Sequence, residues 1–156
     1  MQKSIGKVFL LKATLILLIF LGVHTSKAQS DTLNTPEKLC EHFFMLFETD
    51  SDNAVDFIFS TNKWFNTASM PQLAEIKGKI KKLFYLGNYR GFELASKKIL
   101  SPSLVLITYI VKYDRQPIKI EFYFYKPEKN WQIQTFRFEE DLKNDLQNGQ
   151  ETIIHK

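Results

Sequence analysis

Few side chains in this sequence could do chemistry, and they are scattered. Beyond residue 28 there are two histidines, His42 and His155. Neither has a second histidine one helical turn away, and no Cys/His cluster accompanies them, so a transition-metal site is not expected. The single cysteine, Cys40, has no partner for an intramolecular disulfide. Among Leu39, Phe43 and Phe44 it reads as a small core residue rather than a reactive thiol or an intermolecular bridge. Asp56, between Val55 and Phe59, is the carboxylate best placed to turn inward as a general base; its ordinary reading is an exposed or ion-paired acid. Arg137 is expected to pair across strands with Glu93 or Glu121 at the surface. Glu139-Glu140-Asp141 reads as a solvated strand end, since calcium needs more converging oxygens than this run supplies. There is no Gly-x-Ser-x-Gly, phosphate loop or dinucleotide fingerprint. No catalytic residue, metal or cofactor is therefore assigned.

The elements that must hold these residues come in two blocks. Thr35-Pro36-Glu37 has the N-cap, first-turn proline and acid of a helix start. Leu39, Cys40, Phe43, Phe44, Leu46 and Phe47 then make one wide apolar face, and the helix should stop near residues 48–50. His42 points away from that face, towards solvent. Asp50-Ser51-Asp52 can cap a second helix carrying Ala54, Val55, Ile58 and Phe59. Residues 60–70 read as a loop centred on Trp64 and Phe65, a plug or the lip of a pocket. Pro71 opens a third helix whose apolar period is Leu73, Ile76, Ile80, Leu83 and Phe84, closed by Gly87. Lys77, Lys79, Lys81 and Lys82 occupy its other directions, near the helix end where cations oppose the dipole.

From Tyr89 the period falls from 3.6 to two. Strands are expected over 90–100, 104–113, 118–126 and 131–139, joined by short turns, which makes an antiparallel meander. Ile118, Ile120, Phe122 and Phe124 share the face that should meet the helices, and Phe43, Phe47 and Ile80 should join Phe122 and Phe124 in one core. The second strand is apolar on both parities and needs cover on both sides. Trp131 and Ile133 are out of phase with Phe136 and Phe138; a β-bulge near Gln134-Thr135 would restore all four to one face. Residues 142–156 form a polar, short helical or frayed tail. The fold class is thus α+β, three N-terminal helices on a curved four-stranded antiparallel meander, over residues 35–141.

The first 28 residues have a different character. Lys3, Lys7 and Lys12 precede or flank an apolar run over 13–23, with Ser26 and Ala28 as the small residues of a cleavage site. This is the layout of a secretory signal peptide cut after Ala28, and the run is shorter than the ~20 residues of a membrane span. The expected product is periplasmic or secreted, with no stable membrane insertion and a flexible lead over 29–34. Four of the 21 basic residues lie in the segment removed, with no acid. The remaining 17 match the 17 acids, so the whole-chain excess of positive charge is no argument for nucleic acid.

The run Leu86-Gly87-Asn88-Tyr89, the stretch from Pro117 to Pro127 (Pro117-Ile118-Lys119-Ile120-Glu121-Phe122-Tyr123-Phe124-Tyr125-Lys126-Pro127) and the closing segment opened by Asn130-Trp131, through Phe138, follow a helical block in the same order as in a cystatin-like roll. The chain resembles the nuclear-transport-factor-two-like superfamily in its small secreted bacterial branch, and its leader resembles those of Bacteroidetes-type bacteria. The resemblance implies a conical cavity between sheet and helices, used by some members as isomerases, dehydratases or cyclases and by others for binding or dimerisation. Trp64, Phe65, Tyr85, Phe122 and Phe124 are the candidate lining, for a small apolar ligand. Tyr109, Tyr123 and Tyr125 are the candidate association face, through which two copies would pair. The expected function is an exported non-enzymatic binding or association module; the alternative is a small lyase or isomerase acting in the cavity.

Overall fold

The computed structural model describes residues 33–65 and 70–148. The expected signal peptide, most of the expected lead, and the tail beyond 148 with Ile153, Ile154 and His155 lie outside them. Helix α1, Pro36–Thr49, starts where Thr35 accepts the Lys38 N–H at 3.3 Å. Asp50 then serves two helices. Its N–H closes α1 on the Leu46 carbonyl (2.8 Å), and its carboxylate accepts the N–H groups of Asp52 (2.9 Å) and Asn53 (3.3 Å) to open α2, Ser51–Ser60. A residue that satisfies orphan groups at both helix ends allows a one-residue corner. The apolar stripes of the two helices therefore face each other and the sheet.

Helix α3, Met70–Lys82, packs chiefly on α2, and Ile80 is its buried residue. The lysines hold it there: Lys77 reaches Asp56 and Lys81 reaches Asp52, each at 2.6 Å, while Lys79 pairs with Glu75 on its own helix. After Lys82 the pitch tightens to a 3-10 turn, Leu83–Leu86. Three residues per turn align Ile80, Leu83 and Leu86, which are buried. The same change rotates Phe84 outwards to 82% exposure, against its expected place on the apolar face.

Gly87 follows with φ +90° and ψ −157°, extended geometry reserved for glycine rather than the left-handed helical cap expected. It makes room for Asp114, whose carboxylate accepts from the Asn88 backbone (2.8 Å), the Asn88 amide (3.0 Å) and Arg90 Nε (2.6 Å). A β-carbon on Gly87 would stand 2.7 Å from Asp114 Cβ.

The four strands β1 (Tyr89–Ser101), β2 (Leu104–Tyr113), β3 (Ile118–Tyr125) and β4 (Gln132–Glu139) form one antiparallel sheet in the order of the sequence. Strand β1 slips register against β2 three times. Between β3 and β4 the register slips once: Tyr123 faces Thr135, but Phe124 faces Ile133. Gln134 is the extra residue, so the phase switch read from the sequence is a bulge, and Ile133 and Phe136 are both buried. The alternation of β3 is as expected, with Ile118, Ile120, Phe122 and Phe124 all buried against the helices.

Phe43, Phe47, Ile80, Phe122 and Phe124 belong to a single core cluster, closed at its centre by rings from α1, β3 and β4. Phe122 lies 5.1 Å from Phe43 and 5.4 Å from Phe136. The fold is thus α+β, helices on one face of a four-stranded antiparallel sheet. Besides the three helices that precede the sheet, the described residues include a short helix after it, α4 (Lys143–Asn148), tied back to β3 through Asp145 and Lys119.

Candidate functional site

Strand β4 is an edge strand, and its outward backbone groups need partners. The turn after α2 supplies them. Thr61 Oγ1 accepts the Ile133 N–H at 2.9 Å, and Asn62 Nδ2 donates to the Ile133 carbonyl at 2.7 Å. Asn62 is 5% exposed, and its Oδ1 accepts the Trp64 N–H at 3.0 Å, which shapes the turn. Phe65 closes it by donating its N–H to the Asn62 carbonyl and setting its ring edge-on to Phe59 at 4.7 Å. With Phe65 anchored and Asn62 sewn to β4, Trp64 stands out from the surface at 72% exposure. Lys63 Nζ lies over its ring at 5.3 Å.

A hollow of about 310 Å³ opens there, lined by Asn62, Trp64, Phe65, Gln132 and Gln134. Trp64 and Phe65 both line this hollow. The other three candidates do not join them. Phe122 and Phe124 are fully buried, stacked 6.0 Å apart inside the core. Tyr85 sits on the 3-10 turn, and its hydroxyl donates to Glu140, which raises its pKa. Phe122 packs on Phe43, Phe124 and Phe136 between the helices and the sheet, and the hollow lies beside β4, at the rim of the sheet. Gln132 and Gln134 were missed; the bulge at Gln134 was the available sign, since a bulge re-aims the side chain it inserts.

The tyrosines also divide. Tyr109 is opposite Ile120, and residues directly opposite share a face. It is therefore an inner residue, against Phe44 at 5.0 Å and Phe122 at 6.1 Å, and burial raises its pKa well above the usual range. It does not belong to an outer association face. Tyr123 and Tyr125 lie on the outer face, opposite Leu106 and Leu104. These four make an apolar end to the outer face, and Arg137 lies over the Tyr123 ring at 5.7 Å. The other end is charged. Lys119 meets Glu139 and Asp145, each at 2.8 Å, with Glu121 at 3.9 Å. Burial works against the Lys119 charge, yet Asp145, Glu139 and Glu121 together raise its pKa.

Asp56 faces outward to Lys77 rather than into the core. Glu93 pairs with Lys112 (3.4 Å) instead of Arg137; Arg137 stands opposite Glu121 across β3 and β4, as one of the expected pairs has it, with its guanidinium over the Tyr123 ring. Glu139 and Glu140 each hold a partner from another element, and Asp141 accepts the Lys143 N–H (3.0 Å) at the start of α4; the strand end is tied down rather than merely solvated. His42 is half-buried edge-on to Phe57 at 4.4 Å, because α2 covers the side of α1 expected to meet solvent. Cys40 is fully buried, and burial pushes its thiol pKa up, the opposite of what a nucleophile needs. Among the described residues no group of three or more His, Cys, Asp or Glu side chains could hold a metal ion, and no helix is long and apolar enough to cross a membrane.

Comparison with known proteins gives no match to a family model, to a curated protein or to a solved structure.

Proposed function

We propose that this chain is an exported, non-enzymatic association module that pairs with a second copy through the outer face of its sheet. The observation that carries the reading is the division of that face. Leu104, Leu106, Tyr123 and Tyr125 form an apolar end across β2 and β3, and Tyr125 is exposed. A solvated face would alternate to charge along its whole length. A two-fold pairing sets the same patch on both copies, and an apolar, aromatic centre suits it. Equal numbers of acids and bases after residue 28 leave no net repulsion between the copies. Three helices followed by an antiparallel meander support placement in the cystatin-like roll of the nuclear-transport-factor-two-like superfamily. The lysine-flanked apolar run and Ser26-Lys27-Ala28 support export to the periplasm or beyond, with a mature end at or near Gln29.

Two measurements test this. Sedimentation of the mature protein at micromolar concentration should give a dimer, and Tyr123→Glu should give a folded monomer. A wild-type monomer at high concentration would overturn the pairing. Terminal sequencing of secreted material should begin near Gln29; an intact Met1 end in the membrane fraction would overturn export.

A further inference from the structure

We propose that the rim hollow beneath Trp64 is a binding site for a neutral saccharide. The aromatic platform comes first. Folding normally hides so large an apolar ring, and here the Asn62 hydrogen bonds and the anchored Phe65 ring hold it outward. An indole face is electron-rich, and the C–H face of a pyranose ring is weakly positive, so the two stack without any charged partner.

The rest of the lining is made of uncharged amides. Asn62 is already engaged through both its amide nitrogen and its oxygen, and it serves as the wall. Gln132 and Gln134 come from either side of Ile133, Gln134 as the bulged residue, and both line the same hollow. A primary amide offers two donors and a carbonyl acceptor, which matches the paired donor and acceptor character of neighbouring sugar hydroxyls. Among the described residues the lining contains no carboxylate and no basic residue; the one nearby charge, Lys63, lies over the Trp64 ring at 5.3 Å and leaves the other ring face for stacking. A purely apolar ligand would leave the glutamine amides without partners, which is costly. The volume, about 310 Å³, lies at the small end for ligand sites and suits one stacked sugar ring with its neighbours in solvent.

The site borders the proposed dimer patch, since Gln132 stands opposite Tyr125, but Trp64 and Gln134 lie outside the Leu104, Leu106, Tyr123 and Tyr125 group and report on the hollow alone. The test titrates the mature protein with cellotriose, maltotriose and chitotriose to about 10 mM, following Trp and Gln side-chain resonances by NMR. At least one sugar should move the Trp64 indole and the Gln134 amide while leaving Trp131 in place. Trp64→Ala should weaken that binding at least about tenfold with the circular dichroism spectrum and Tm unchanged. Gln134→Ala should weaken it about threefold or more, and Trp64→Tyr should retain part of it. Silence from all three sugars would overturn the proposal, as would equal binding by Trp64→Ala or equal shifts at Trp131. A proline-rich peptide that takes the Trp64 face when the sugars do not would overturn it in favour of a protein ligand.

Discussion

Replacing Phe122 by Ala should remove a large part of the stability of this domain. Phe122 is fully buried, and its ring meets those of Phe43, Phe44, Tyr109, Phe124 and Phe136 at 5.1 to 6.1 Å. These neighbours come from α1, β2, β3 and β4, so no single side chain can swing into the gap without leaving another. The cost should therefore lie in the range of ~3–5 kcal/mol found for buried Phe→Ala changes, near the upper end. A domain of this size holds roughly 5–15 kcal/mol in total. A loss of about 4 kcal/mol should lower Tm by roughly 12–24 °C. Urea titration with an unchanged slope gives the difference directly from the midpoints. Phe84→Ala is the paired control: at 82% exposure it should cost about 0.5 kcal/mol or less. A loss below ~1 kcal/mol at Phe122, or equal losses at both sites, would show that β3 faces the other way.

Three further outcomes follow from particular contacts. Gly87→Ala should cost about 1–3 kcal/mol, because the backbone there is glycine-only and a β-carbon meets Asp114, and denaturant titration should show it. Asn62→Ala should cost about 1–3 kcal/mol by leaving the buried Ile133 carbonyl without its donor, with faster amide exchange along β4. Asp114 titrates below the usual carboxylate range, held there by the Asn88 N–H and the Arg90 guanidinium. A depressed folded value means its contribution is full above the unfolded value and is lost as pH falls through the folded one. The stability difference between wild type and Asp114→Asn should thus hold level down to about pH 5 and shrink as pH falls further, and a difference that stays constant to about pH 2 would refute the assignment.

Much of this molecule is written in local sequence. Thr35, Pro36 and Asp50 mark helix ends because capping depends on a side chain reaching a backbone group a few residues away. The alternation of Ile118, Ile120, Phe122 and Phe124 declares the buried face of β3, since a strand's side chains have a fixed period of two. The phase switch between Ile133 and Phe136 declares the bulge for the same reason. Other features depend on groups that sequence distance separates. Tyr109 belongs inside because the hairpin register sets it opposite Ile120, and parity within β2 alone could not say which side was inner. Phe84 lies outside because the helix tightens after Lys82 to align Ile80, Leu83 and Leu86. Asp114 joins Asn88 and Arg90 from 24 to 26 residues away, and Gly87 must be bare to admit it.

The candidate site divides along the same line. The aromatic pair Trp64-Phe65 was visible in the polar loop after α2, though not that Trp64 would stay exposed, and the bulge of β4 was visible near Gln134. Their meeting was not. It depends on Asn62 and Thr61 finding the unpaired backbone of Ile133, 71 and 72 residues on. Nothing in the order of residues encodes which edge a turn will cover. Only the packed sheet exposes that edge and makes its N–H and C=O groups costly to leave alone, and the loop that satisfies them carries Trp64 to the two glutamines.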